Sequence, residues 1–393
     1  MKKIFLKAGK EDPVRRFHPW IFSGAVARQE EGIQPGDWVA VYDVRERRIA
    51  SGHYQEGSIR TRILEFSSVE PMADFYYNKF LKAYALRQAL LLGRNGQTTC
   101  FRLVHGEGDG LPGLVVDIYG DTAVVQCHAP GMWSDKNRII EALIRIPNLP
   151  IARIFDKSEE TLYKTRGMAD RNSYWHGEKP SQPECFENGH RFLLDWEKGQ
   201  KTGFFLDQRE NRFLLGQLAA GKHILNAYSY TGGFTIYAIK GGAETVHSVD
   251  ASSTAITLLK DNLECNGAEP ERHQAFVEDV PTFLRQGENL YDVVVIDPPA
   301  FAKSLEKRHS SIQAYIRLNA QALRRVKPGG LLFTFSCSQV VERHHFQNAL
   351  LAACREAGRD GRVLYQLTQG PDHPGSIFHP EGSYLKGLVL FVS

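Results

Sequence analysis

Residues 222–234 read KHILNAYSYTGGF. Ile224 to Ala227 form a short apolar run, the kind that makes a buried strand. A Tyr/Ser/Thr/Gly/Gly turn follows, and a helix-compatible run begins at Phe234. Strand, glycine turn and helix start in that order predict the first βα unit of an open α/β sheet, whose turn brings backbone N–H groups close to a polar ligand. Many βα turns carry glycine for conformational reasons alone. The weight comes from later segments of the chain: HSVD closing at Asp250, VEDV at Asp279, VVVIDPPAF at Asp297 and FTFSCS at Cys337. Each ends an apolar run with a polar residue, and all would reach the same rim of the sheet.

From about residue 186 the chain alternates strand and helix. Strands are predicted over 191–195, 223–227, 245–249, 275–277, 291–296, 331–335, 363–367 and 387–392. Helices are predicted to begin near Arg209 and over 234–240, 252–266, 312–325 and 340–357, with Lys327-Pro328-Gly329-Gly330 as a turn. This alternation predicts a mostly parallel, doubly wound α/β sheet. Ligands of such sheets bind beyond the C-terminal strand edges.

The segment before it is of a different kind. Residues 1–70 hold short apolar runs separated by turns, which predicts a small β-barrel. Within it, Arg15-Arg16-Phe17-His18-Pro19-Trp20 sets cations beside aromatics, a pairing that suits phosphate contact and base stacking. Trp20 as a core residue and the arginines as solvated charges are the alternative. Residues 71–185 predict an α+β middle domain, with helices over 73–92 and 134–146 and a strand over 152–155. Its FRLVHGEGDGLPGLVVD stretch has four glycines and a proline between strand-like runs, a tight hairpin or bulged turn. Glu107 and Asp109 there read as water-facing, with a metal site as the remote alternative. The linker falls at 177–183, so the domains are expected at 1–70, 71–185 and 186–393.

Composition narrows the classes. A chain of 393 residues is long enough for two or three cores. No stretch approaches the ~18 continuous apolar residues of a membrane span, and the N-terminus is a poor signal peptide. Six scattered cysteines without a C-x-x-C pair argue against a disulfide framework or zinc cage, so no metal and a reducing cytoplasm are expected. The net charge of +3 leaves any nucleic-acid partner to a local patch.

The rim residues then suggest chemistry. The turn at Asn226–Gly233 lacks G-x-G-x-x-G, so it suits a ligand without phosphates, such as S-adenosylmethionine. Asp250 can accept from ribose hydroxyls and Asp279 from an adenine amine, although either could cap a helix. Two prolines after Asp297 stiffen the strand exit and hold the carboxyl at the rim. Lys303 and the cations at 307–309 follow in a polar loop that covers a phosphate backbone, acts as a lid, or is merely solvated. Cytosine C5 is too weak a nucleophile to take a methyl group unaided. A thiolate adding to C6 makes C5 enamine-like, and a carboxylic acid at N3 stabilises the adduct. Cys337 and Asp297, on adjacent strands, are that pair.

At these residues the whole chain resembles the bacterial 23S rRNA 5-methylcytosine methyltransferases, which join a class I S-adenosylmethionine-dependent methyltransferase domain to an N-terminal PUA domain. The matching segments are HPWIFSG, GEGDGLPGLVVD, KTGFFLDQRENR, NAYSYTGGF, VDAS, DPPAFAKS, FSCS and PEGSYLKG. The resemblance implies S-adenosylmethionine contacts at Phe204, Asp207, Gln208 and Arg209, at Asn226, Tyr228, Ser229, Thr231, Gly232 and Gly233, at Asp250, Ala251 and Ser252, and at Asp279 and Asp297. Cys337 would be the nucleophile and Asp297 the residue engaging the base. RNA contact is expected at Arg15, Arg16, Trp20 and Lys303. The implied partner is 23S rRNA or a large-subunit assembly intermediate, with no membrane and with a homodimer left open. Another group of 5-methylcytosine RNA enzymes has a cysteine directly after Pro-Pro, where this chain has Ala300. That leaves the base for the C5 proton unassigned. The tail segments DHP (372–374) and PEGSYLKG (380–387) match the family without an evident chemical role. A methyltransferase of guanine or exocyclic amines, with Cys337 merely packed, and a non-catalytic RNA-binding assembly factor are the alternatives.

Overall fold

The computed structural model describes residues 1–67, 72–93, 96–162, 172–286, 290–302 and 304–393. The chain divides into two compact units. The first comprises Met1–Gly189, Leu194–Leu206 and Pro371–Gly382; the second comprises His190–Leu193, Asp207–Gly370 and Ser383–Ser393.

The first unit begins with a six-stranded sheet: β1 (Lys2–Leu6), β2 (Trp20–Phe22), β3 (Val26–Gln29), β4 (Trp38–Tyr42), β5 (Arg48–Tyr54) and β6 (Ile59–Glu65), with short helix α1 (Asp12–Arg15) between β1 and β2. The order is β2-β6-β5-β4-β1-β3. Only β1 and β4 pair in parallel; the other neighbours are antiparallel. Ile4, Leu6, Val39, Val41 and Ile63 fill its interior. The second sheet follows helix α2 (Phe75–Ala89) and runs β11-β10-β9-β8-β7, from β7 (Cys100–His105), β8 (Leu114–Tyr119), β9 (Thr122–Cys127), β10 (Arg153–Asp156) and β11 (Tyr174–His176). Phe75, Tyr76, Phe80 and Tyr84 of α2 pack on this sheet together with Ile139 and Leu143. Each such buried side chain contributes roughly 1.5–3 kcal/mol. The helix expected over 134–146 is α4 (Lys136–Ile144); a separate short helix, α3 (Pro130–Ser134), opened by Pro130, precedes it.

The two sheets of this unit are tied by Asp135. Its Oδ2 accepts from Trp38 Nε1 (2.8 Å) and Tyr76 OH (2.6 Å), and lies 3.2 Å from His53 Nε2. The glycine turn holds a second tie, and here the expected water-facing carboxylates are otherwise engaged. Asp109 pairs with the fully buried Arg87 (2.5 and 2.8 Å), and Glu107 accepts from Trp20 Nε1 (2.8 Å) and Arg62 Nη1 (2.9 Å). Arg87 also donates to the Asp372 carbonyl, and the Asp372 carboxylate accepts from the Arg102 N–H. A Cβ at Gly108 would stand 1.8 Å from the Pro374 carbonyl oxygen. The glycine turn is therefore the seat of the DHP segment, and only glycine lets the two backbones meet there.

After β12 (Glu184–Glu187) and β13 (His190–Leu193) in chain order, the second unit holds a seven-stranded sheet ordered β16-β15-β14-β17-β18-β20-β19. It comprises β14 (His223–Ala227), β15 (Thr245–Asp250), β16 (His273–Val277), β17 (Tyr291–Ile296), β18 (Val326–Ser336), β19 (Gly361–Leu367) and β20 (Lys386–Val392). The first five pair in parallel, and β20 inserts antiparallel between β18 and β19. The chain has wound outward to β16 before it returns to β17, so the order reverses beside β14 and opens a crevice there. Helices α5 (Arg209–Gln217), α6 (Gly233–Lys240), α7 (Ser253–Cys265), α8 (Val280–Gln286), α9 (Arg308–Arg325) and α10 (Arg343–Ala357) complete the unit. Val294, Ile296, Tyr315, Leu323 and Phe346 belong to its core.

Two expectations shift. Lys327–Gly330 is an irregularity inside β18, between the Tyr291–Val326 and Val293–Leu331 pairs, and not a turn before it. The helix expected from 312 starts at Arg308 because the polar residues 308–311 form its first turn. Among the described residues, no helix is long and apolar enough to cross a membrane.

Candidate active site

The strand ends β14 to β18 place Asn226–Gly232, Asp250, Asp279, Asp297 and Cys337 on one rim of the second unit. The loop after β14 is the most constrained. Tyr228 (φ 61°), Tyr230 (φ 46°) and Gly232 (φ 86°) all adopt left-handed backbone conformations. Each tyrosine pays of order 1–3 kcal/mol for this, a form of strain that clusters where loops clamp ligands. A Cβ at Gly232 would lie 2.7 Å from Leu259 Cγ, so α7 excludes a side chain as firmly as the φ angle does. The Ser229 N–H donates to the Val249 carbonyl (3.0 Å) and the Gly232 N–H to the Ser229 carbonyl (2.9 Å).

Asp250 ties this loop to the next one. Oδ2 accepts from the Tyr230 N–H (2.9 Å) and Oδ1 from the Ser252 N–H (2.9 Å), with Ala251 exposed between them. Ser252 caps α7, its Oγ accepting from the Ala255 N–H (3.2 Å). Asp279 also caps: Oδ2 accepts from the N–H and hydroxyl of Thr282 in α8 (3.1 and 2.9 Å). It does so while exposed and close to Tyr228, whose phenol is raised by burial and then by the Asp279 and Asp250 charges. Asn226 donates to Thr235 Oγ1 (2.8 Å), which shares a hydrogen bond with Ser248 Oγ (2.7 Å), pinning β14, α6 and β15 together.

Asp297 is half-buried, and its Oδ2 accepts from Gln208 Nε2 (3.0 Å). Gln208 Oε1 in turn accepts from Asn211 Nδ2 (2.6 Å), which fixes which end of the amide faces Asp297. No helix begins at the prolines: the next helical turn is at Leu305–Lys307. Cys337 is partly exposed one residue beyond β18, with its sulfur 4.0 Å from the Pro298 carbonyl oxygen. The strands run in register with Ile296 opposite Thr334, so the sulfur lies beside the Asp297-Pro298 exit. Beneath both is the buried Tyr315, whose OH accepts from Ser336 Oγ (2.9 Å). Burial raises its phenol, and the Cys337 and Asp297 charges raise it further.

The remaining expected residues divide. Gln208 and Arg209 are buried at the start of α5, and Asp207 accepts from Tyr384 OH (2.5 Å). Phe204 belongs to the first unit, buried, with its carbonyl 3.4 Å from Tyr119 OH. In the barrel, Arg16 is exposed, Arg15 pairs with Asp43 (3.1 Å), and the Trp20 indole N–H is bound to Glu107. Lys303 lies outside the described residues. Sequence reasoning missed Tyr315, Tyr384 and Lys386. The last two stand in PEGSYLKG, where a phenol and an ammonium open an otherwise apolar strand, the one available signal.

Residues 101–374 match the family described as S-adenosylmethionine-dependent methyltransferase, and residues 4–66 match the PUA-like domain. The ribosomal RNA large subunit methyltransferase I of Aeromonas salmonicida is 39% identical over 98% of both chains. Its namesake in Klebsiella pneumoniae is 36% identical over 99% of this chain and 98% of the relative. The chain belongs to the ribosomal RNA large subunit methyltransferase I family. This family member joins a PUA-like domain to a class I methyltransferase sheet. A SAM-dependent methyltransferase structure from Streptococcus mutans superposes over 100% of both chains with a TM-score of 0.84 at 22% identity. A further solved methyltransferase structure, in complex with SAH, gives 0.85 at the same identity. The cofactor is S-adenosylmethionine.

The residues present fit that cofactor. Asn226 Oδ1, Ser229 Oγ and Thr231 Oγ1 are buried without a hydrogen-bond partner among the described residues. Asn226 lies near the end of β14, and Ser229 and Thr231 lie in the strained loop that follows it; buried polar atoms of this kind are ordinarily satisfied by something.

Proposed function

We propose that this protein methylates C5 of a cytosine in large-subunit (23S) rRNA, free or within an assembly intermediate, through a covalent adduct between Cys337 and C6. The observation that carries this reading is the partly exposed Cys337 sulfur beside the Asp297-Pro298 exit. A methyltransferase of exocyclic amines needs no thiol there. Bound S-adenosylmethionine supplies an electrophilic methyl group.

The Cys337 thiolate adds to C6, and the C5–C6 π electrons become available at C5. Asp297, oriented by Gln208, holds N3 and stabilises the adduct. C5 takes the methyl group as the methyl–sulfur bond of the cofactor breaks, leaving S-adenosylhomocysteine. Loss of the C5 proton to a base then restores the double bond and expels the Cys337 thiolate. Asp250 and Asp279 are assigned to the ribose and adenine, with the Tyr228–Gly233 loop, Ser252 and the 207–209 segment around them.

We assign the domains as 1–70, 71–185 and 186–393. RNA contact from the barrel is assigned to Arg15, Arg16 and Trp20. An rRNA substrate places the protein in the cytoplasm.

Cys337→Ala is expected to abolish methyl transfer while adenosylmethionine affinity, read by calorimetry, changes little. RNA carrying 5-fluorocytosine is expected to trap a covalent complex because its C5 has no proton to lose. Full activity of Cys337→Ala, or methylguanosine in nucleoside mass analysis of the product, would overturn the reading.

A further inference from the structure

Among the described residues, Lys386 is a cation close to Cys337 that this reaction leaves unused. It opens β20, and the β18–β20 ladder sets Ser336 opposite Lys386. The side chain is 6% exposed, and Nζ donates to the Ser338 carbonyl at 2.6 Å. The ammonium is thus anchored to the residue that follows Cys337, from the strand that faces the residue before it. Among the described residues no carboxylate pairs with Lys386. A buried ammonium held by a single carbonyl is costly unless an anion stands nearby. The Cys337 sulfur is the group near enough to supply that charge.

The sulfur also needs a cation. Asp297 stands on the neighbouring strand end, and a carboxylate close to a thiol disfavours the thiolate. We infer that Lys386 is a positioning residue for Cys337, its ammonium braced on the Ser338 carbonyl so as to hold the sulfur as the attacking thiolate against the Asp297 charge. This rests on the reading of Cys337 as nucleophile. The other groups facing the pair are Tyr315 from α9 and Arg343 from α10, the latter opposing a charge on Lys386. Burial, aided by Arg343, lowers Lys386 to about 8 while Cys337 pulls it back up. The lysine therefore still carries its charge at neutral pH.

The test titrates the sulfur without requiring turnover. The full-length chain is alkylated with iodoacetamide across pH 5–9, and modification of the Cys337 peptide is read by mass spectrometry. The other five cysteines serve as internal controls for folding. In Lys386→Met the Cys337 midpoint is expected to rise by about one pH unit, lowering its thiolate fraction at pH 7 on the order of tenfold. Lys386→Arg is expected to restore most of it. The reciprocal measurement does not depend on the Lys386 variants folding. In Cys337→Ala, loss of the sulfur is expected to lower the pH midpoint for reductive methylation of Lys386. An unmoved Cys337 midpoint in Lys386→Met, or an unmoved Lys386 midpoint in Cys337→Ala, overturns the inference. Methyl transfer that survives Cys337→Ala instead overturns the nucleophile reading on which it rests.

Discussion

The side-chain amide of Gln208 donates to the carboxylate of Asp297 across 3.0 Å, joining the start of α5 to the exit of β17. With Asn211 holding the other end of that amide, Asp297 is aimed from outside its own strand. Gln208→Ala is expected to lower the single-turnover methyl-transfer rate by about ten- to a hundredfold, the scale of a misplaced catalytic group. Gln208→Glu, which puts a second carboxylate against the first, should be worse. A rate within twofold of wild type in Gln208→Ala would remove Gln208 from the site.

The loop after β14 has no room for change. Gly232→Ala combines a Cβ at 2.7 Å from Leu259 with a left-handed φ, so a loss of about 1–3 kcal/mol and weakened adenosylmethionine binding are expected. Adding Leu259→Ala relieves the clash but not the φ, so the double variant should recover only part of the binding measured by calorimetry.

Asp135 holds the barrel to the second sheet of the first unit. Asp135→Ala leaves the Trp38, Tyr76 and His53 donors without their acceptor. Leaving buried donors unmet costs about 2–4 kcal/mol, well beyond the ~1 kcal/mol of losing the Trp38 bond alone in Trp38→Phe. Denaturant melts of the two variants would check the ordering.

Acid should loosen the first unit earlier than carboxylate titration would. Burial lowers His53 from the usual 6.5 against the pull of Asp135, and burial aided by Arg102 lowers His105 to about 2. When unfolded, both bind protons near 6.5; when folded, each binds its proton only at a lower pH. The unfolded chain therefore gains protons as pH falls below 6.5, and folding loses up to ~1.4 kcal/mol per pH unit for each histidine. For His105 the loss extends down toward pH 2. Thermal melts between pH 7 and 4.5 should decline, and His105→Gln should flatten the slope.

The strand ends were legible in the sequence because an apolar run closed by one polar residue has a single meaning in a parallel sheet: core below, rim above. Asp250, Asp279, Asp297 and Cys337 could be named on that basis, and so could the Ser252 cap. GEGDG could not be read correctly. Its carboxylates look solvated until Arg87 is brought against Asp109, and Trp20 and Arg62 against Glu107.

What the sequence by itself determined was local: periodicity, turn chemistry, and the order of strands and helices that makes a doubly wound sheet. Pairing of distant segments was decided only by the tertiary structure. β20 inserts between β18 and β19, and that register alone sets Lys386 beside Cys337, as packing alone sets Gln208 against Asp297. A side chain's neighbours across a sheet follow from register and burial, and no spacing along the chain encodes either.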